Sequence, residues 1–214
     1  MRPFTRWIIV AAALGLVASC GAKGSASGDP KSAQAMSMGS PNAKVTVDEY
    51  ASDTCPHCAR FNEEVFPAFK AKYVDTGLVQ YRFHEFLTPP ANVAAAGFLV
   101  ARCAGPDKYF SVVDALFHSQ AEMFSTGDVR GVLFRIGRGA GLTDDKITAC
   151  IQDDKALQAL NDRVQQAGKD GVTGTPTFMV NGKKLDGQVL AGKTYQGGEI
   201  TLAQLDAALQ PLLK

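Results

Sequence analysis

Cys55 and Cys58 enclose only Pro56 and His57 in the stretch DTCPHCAR, residues 53–60. A thiol pair this close can hold a soft metal ion or exchange two electrons as dithiol and disulfide. Tetrahedral zinc with this spacing needs a second pair of ligands nearby. The remaining cysteines, Cys20, Cys103 and Cys150, are isolated from one another, and the three histidines, His57, His84 and His118, are scattered, so no metal is expected. The redox reading has positive support. The pair sits where a strand pattern hands over to a helical one, which puts Cys55 at a helix N-terminus and Pro56 in the first turn, where its missing N–H costs nothing. The dipole and free N–H groups there stabilise a thiolate, and His57 can add a positive charge or a donor. A cysteine pKa lowered by one favours the ionised dithiol by about 1.4 kcal/mol, ~30 mV for a two-electron couple. Cys58, one turn further in, is the less accessible sulfur. Cys55 is therefore expected to attack or be attacked, and Cys58 to resolve the mixed disulfide.

The elements that must position this pair can be read around it. Val45, Val47 and Glu49 alternate with Thr46, Asp48 and Tyr50, so a strand here puts Glu49 on the same face as two valines. Six residues before Cys55, it is the expected proton acceptor; the alternative is an edge carboxylate satisfied by solvent. Phe61, Val65, Phe69 and Tyr73 recur at four, a helical stripe that Pro67 is expected to kink. Val79, Tyr81 and Phe83 alternate as a second strand, and strand–helix–strand implies a parallel pair. Residues 90–103, 107–119, 128–137, 143–151 and 154–168 all carry helical spacing. Residues 177–180, then Asn181-Gly182, then 183–185 make a hairpin, because Asn-Gly supplies the positive φ angles of a two-residue turn. Leu202, Leu205, Leu209 and Leu212 close the chain at helical spacing. The layout is α/β: a small mixed sheet carrying a helical insertion. His84, on a strand, and His118, near a helix end, read as surface or packing residues.

Over its 214 residues the chain has 22 Lys and Arg against 21 Asp and Glu, a formal charge of +1 with no basic run, which argues against nucleic acid as a partner. Arg2 and Arg6, the apolar run over 7–17 and the small residues Val17-Ala18-Ser19 read as an export signal over 1–19. The run is too short to span a bilayer, which takes about 20 residues. Val17-Ala18-Ser19-Cys20 also resembles a bacterial lipobox, in which the cysteine after the cut carries lipid, so Cys20 is the expected membrane anchor and the periplasm the expected compartment. Residues 20–42 are rich in Gly, Ser, Ala and Lys without apolar period and read as a flexible tether, with Met36 and Met38 incidental to it. Export implies an oxidising compartment. Cys103 and Cys150, each three residues after an apolar helical position, could be packed core cysteines or a distant pair. Export favours a structural disulfide, whose loop of about 47 residues would contribute on the order of 4 kcal/mol.

With these residues in hand, the chain resembles the DsbA-type thiol:disulfide oxidoreductases of the thioredoxin superfamily. The resemblance rests on CPHC over 55–58, the acid at Glu49, the helical block between the two halves of the fold and GVTGTPTFMVNG before the last helix, and it covers residues 44–214. It implies a thioredoxin-like domain over 43–87 and 170–214, an all-helical insertion over 88–169, and no cofactor. It also implies that Thr175-Pro176 is a cis peptide facing the disulfide, where the Thr175 backbone can pair with an extended substrate. The implied activity is donation of the Cys55–Cys58 disulfide to folding exported proteins with free thiols, followed by recharging by a membrane reoxidase of DsbB type. Some relatives carry a second disulfide in the helical block. Familiar oxidases often place Val before the cis proline and isomerases often Thr, so Thr175 keeps an isomerase or reductase in view. Isomerase relatives have an N-terminal dimerisation domain, for which residues 21–42 are too few and too polar, and a monomer is expected. A second class of function is a thioredoxin-like binding module, a holdase or metallochaperone using the same groove.

Overall fold

The computed structural model describes residues 35–214. The expected export signal, Cys20 and the tether as far as residue 34 lie outside the described residues. Five strands form a mixed sheet in the order β1-β3-β2-β4-β5. At its centre β2 (Val45–Ala51) runs parallel to β3 (Val79–Glu85), and β4 (Thr177–Val180) lies antiparallel along the other side of β2. The edges are short: β1 (Met36–Met38) is antiparallel to β3, and β5 (Lys183–Lys184) is antiparallel to β4. Strand β1 corrects the reading of residues 20–42 as tether throughout. Met36 and Met38 pack against the core, and the strand occupies the outer hydrogen-bonding groups of β3. Three residues are too few to show a period, which is why the composition hid them.

The parallel pair needs a crossover, supplied by a helical rod over residues 56–74. It opens as α1 (Pro56–Arg60), widens into a π-helical stretch (Phe61–Val65), returns as α2 (Phe66–Phe69) and widens again (Lys70–Val74). The Phe66 N–H reaches the carbonyl of Phe61, five residues back. Pro67, where a kink is expected, stands in the first turn of α2 just after the first wide stretch, a place where its missing N–H is tolerated. The wide turns explain the stripe. Spacing of strictly four outruns an α-helix of 3.6 residues per turn, and the wide turns take up the excess, so that Phe61, Phe69 and Tyr73 are buried and Val65 is partly buried against the same core.

Helices α3 (Ala91–Cys103), α4 (Pro106–His118), α5 (Gln120–Thr126), α6 (Val129–Gly139), α7 (Asp144–Ile151) and α8 (Asp154–Lys169) follow. Five match the helical spacings; α5 is two turns long and escaped them. Their apolar faces join the core of the sheet and rod, where Phe83 packs on Phe98, Tyr109 and Phe117. Glu85, buried at the end of β3, pins three of these helices: Oε1 accepts from Arg102 Nε at 2.5 Å and Tyr109 OH at 3.0 Å, and Oε2 from Arg163 Nε at 2.6 Å. Cys103 and Cys150 are bonded to each other, joining α3 to α7, with Cα atoms 6.1 Å apart. His84 stacks on Tyr50 and bonds Asp48 at 2.7 Å, while His118 reaches back to the Asp114 carbonyl. Burial would raise the Asp48 carboxyl, but hydrogen bonds from His84 and Arg82 hold it below its usual value.

The chain returns through β4 and β5, whose turn residues Asn181 and Gly182 have φ of 49° and 76°. A second hairpin, β6 (Val189–Leu190) and β7 (Lys193–Thr194), turns at Ala191-Gly192. Helix α9 (Leu202–Leu209) starts with a capping box between Thr201 and Gln204. Leu205 and Leu209 are buried and Leu212, the last of the expected stripe, is largely exposed. Among the described residues no helix is long and apolar enough to cross a membrane.

Candidate active site

Strand β2 ends at Ala51, and residues 52–55 turn the chain into α1. Cys55 is the N-cap: its backbone is extended, at φ −90° and ψ 119°, and its sulfur accepts from the Cys58 N–H at 3.4 Å, with Pro56 at the first helical position. The Cys55 thiol also donates to the Thr175 carbonyl at 3.4 Å across the cis Thr175-Pro176 bond. The two halves of the sheet thus meet at this sulfur. Hydrogen bonding from the Cys58 thiol, then from the Thr175 side chain and the backbone N–H groups of Cys58 and His57, outweighs burial and brings Cys55 down to about 6. Cys58 moves the opposite way. It is fully buried, and burial together with the facing Cys55 and Glu49 raises its thiol well above the ordinary value. The sulfurs are unbonded in this structure, a dithiol.

Glu49 lies on the face its alternation predicts, buried at 2% exposure, so the edge-carboxylate alternative does not hold. Its Oε2 accepts from the Tyr81 hydroxyl at 2.5 Å. Burial, with a smaller push from Cys55, raises the acid to about 8 against that hydrogen bond. The imidazole of His57 is turned outward, where Nδ1 meets Glu199 Oε1 at 2.8 Å, and Arg60 binds the same carboxylate. What His57 gives Cys55 in this geometry is its backbone N–H. Among the described residues no group of three or more His, Cys, Asp and Glu side chains gathers as a metal site.

Several residues at the site had no signal in the sequence. Gln120, buried at the start of α5, donates through Nε2 to the carbonyls of Asp53 at 2.8 Å and Cys55 at 3.1 Å, so the helical block holds the redox loop by its backbone. Asp53 is buried beneath that loop, and burial pushes its carboxyl well above the usual range. It fits only because Gly97 on α3 has no side chain: a Cβ there would stand 1.8 Å from Asp53 Oδ2. Glu199 and Tyr81 complete the set. A long-range partner such as Gln120 leaves no local pattern, and Tyr81 reads as one more apolar position of a strand.

The site thus joins an ionisable sulfur on a helix N-terminus, a buried second sulfur, a buried acid and a cis proline loop opposite. A family model described as Thioredoxin matches residues 31–196. The chain belongs to the thioredoxin family. Within it, the structure of Wolbachia pipientis alpha-DsbA1 matches this thioredoxin-family chain with a TM-score of 0.70 at 30% identity, covering 84% of this chain and 90% of that one. Oxidised BdbD from Bacillus subtilis shares the fold, with a TM-score of 0.67 at 20% identity over 85% and 94% of the two chains. A Rickettsia bellii protein provisionally named a protein-disulfide oxidoreductase is 34% identical over 151 residues, 69% of this chain and 57% of its own length. The chain spans little more than half the length of the curated relatives it matches first. This thioredoxin-family member is of the DsbA type.

Proposed function

We propose that the chain is a thiol:disulfide oxidoreductase that oxidises paired thiols of folding, exported polypeptides. The observation that carries this reading is the inequality of the two sulfurs: Cys55 is held near pKa 6 at a helix N-cap, and Cys58 is buried and raised. In the oxidised protein a substrate thiolate attacks Cys55 Sγ; the Cys55–Cys58 bond breaks and a substrate–Cys55 disulfide forms. The Cys58 sulfur leaves with the electron pair and takes a proton, and Glu49, whose charge is felt at Cys58, is the donor in this reading. A second substrate thiolate then attacks the substrate's own sulfur in the mixed disulfide, closing the substrate disulfide and releasing Cys55 as a thiolate, a good leaving group at neutral pH. Two electrons have passed from substrate to protein. The Thr175 backbone beside Cys55 lies where an extended segment could add along it, which favours unfolded chains over one sequence.

Recharging requires a second oxidant, and the resemblance assigns this to a membrane reoxidase of DsbB type. The periplasm, with attachment through lipid on Cys20, is the compartment that fits it. The reading is tested by refolding reduced ribonuclease with stoichiometric oxidised protein while the glutathione equilibrium of Cys55 and Cys58 is measured. Stoichiometric disulfide transfer and an equilibrium constant favouring the dithiol are expected; failure to oxidise the substrate overturns the reading. Thr175 before the cis proline favours a second reading, an isomerase or reductase. Preferential repair of scrambled ribonuclease over oxidation of the reduced form would select it.

A further inference from the structure

Glu49 is held by a neutral donor rather than a cation, and that donor is fixed from several directions. The Tyr81 ring is fully enclosed: Phe66 packs on it at a centroid distance of 4.9 Å, and Phe69 and Phe110 at 6.1 Å each. These rings come from the rod and from α4, so two elements packed on β3 aim the hydroxyl and leave it little freedom to turn away from Glu49 Oε2, 2.5 Å distant. A phenol that keeps its proton donates to one carboxylate oxygen and leaves the other to carry the exchangeable proton.

We propose that Tyr81 is a positioning residue of the redox site: its hydroxyl holds Glu49 Oε2 and so makes Oε1 the atom that exchanges a proton with Cys58. This rests on the reading of Glu49 as the proton relay. The chemistry suits the arrangement. Burial and the neighbouring Glu49 push the Tyr81 hydroxyl well above its ordinary value, so it stays a donor throughout the range in which Glu49 titrates. The other titratable groups facing the pair are Cys55 at the N-cap of α1, Cys58 on α1, Tyr109 on α4 and Tyr195 after β7, whose own hydroxyl is raised further by Asp186. Cys55 and Cys58 favour a protonated Glu49 when they carry negative charge, and the Tyr81 hydroxyl donates the hydrogen bond that opposes them.

Tyr81→Phe keeps the ring and its packing and removes only the donor. Two measurements follow on the full chain, the first on its reduced form. The first is the Glu49 carboxyl titration by NMR of glutamate-labelled protein, the signal being assigned by its loss in Glu49→Gln. It should move upward by about one pH unit in Tyr81→Phe, as loss of a hydrogen bond to a charged group requires. The second is the rate at which a mixed disulfide on Cys55 is closed by Cys58, measured by acid quench across pH. It should fall about tenfold at pH 7 and recover toward the wild-type rate above ~pH 9, whereas damage to packing would slow it at every pH. Incorporation of 3-fluorotyrosine at position 81, a stronger donor in the same shape, should move the carboxyl titration downward, and it serves if Tyr81→Phe folds poorly. An unchanged carboxyl titration in both variants overturns the proposal. If Glu49→Gln closes its mixed disulfide with the wild-type pH profile, the relay reading fails and with it the assignment of Oε1. The carboxyl titrations then report only whether Tyr81 and Glu49 are coupled.

Discussion

At the scale of single residues, the site is an exercise in separating two chemically identical groups. Cys55 and Cys58 differ by three positions and one helical turn, yet one is pulled to about 6 by donors and the other is driven up by burial. The oxidised protein has no thiol to titrate. The dithiol binds two protons below the Cys55 value and one between it and the Cys58 value, so the reduction potential should fall by about 59 mV per pH unit below ~pH 6 and by about 30 mV above it. Potentials measured against glutathione from pH 5 to 8 check this, and a single steep slope through pH 8 would mean that Cys55 remains protonated. The sign for stability is linked. Because the folded value lies below the ordinary 9.0, the thiolate's contribution to the reduced fold is complete above about pH 9 and is lost as pH falls through about 6. The sequence made Cys55, Cys58, Glu49 and Pro176 legible because each belongs to a local pattern or to the resemblance. Tyr81, Gln120 and Glu199 were not legible, since their roles exist only once strands and helices distant in sequence have been brought together.

At the scale of elements, the helical block does more than enlarge the core, because α3 and α5 both touch the redox loop. Gln120 takes two of its carbonyls, and Gly97 leaves the room in which the buried Asp53 carboxyl lies. Gly97→Ala would push a methyl group into that carboxyl, and since Asp53 is enclosed it cannot swing into solvent. The substitution should cost about 1–3 kcal/mol, read from urea unfolding, and should raise the Cys55 thiolate midpoint, read from absorbance at 240 nm, by displacing the N-cap. Loss of stability with an unmoved thiolate midpoint would show that the loop and α3 are mechanically independent. Most elements were readable from periodicity, down to the Asn181-Gly182 turn. The failures share a cause: β1, β6, β7 and α5 have too few residues for a period to develop. The rod was readable as a helix but not as a widened one, since strict spacing by four is also seen on ordinary amphipathic helices.

At the scale of the whole molecule, the sheet and the helical block are joined by covalent, ionic and apolar means. The Cys103–Cys150 bond braces the block internally, and Glu85 ties β3 to α3, α4 and α8 with its carboxylate out of water. Removing one partner of a buried ionic cluster strands the others, so Glu85→Ala should lower the unfolding free energy by about 3–5 kcal/mol. Denaturant midpoints check it, and a loss below about 1 kcal/mol would show that the guanidinium groups find water or other partners. The outer strands of the sheet have a consequence of a different kind. Among the described residues one side ends in three residues, Met36–Met38, and the other in the two lysines Lys183–Lys184, of which Lys183 is exposed and Lys184 is paired with Asp186. Lateral stacking of one sheet on another needs long, flat, uncharged borders. A protein proposed to spend its working life among unfolded, extended polypeptides therefore offers them an invitation at the Thr175 backbone and almost none along its flanks, a geometry suited to releasing its clients rather than aggregating with them.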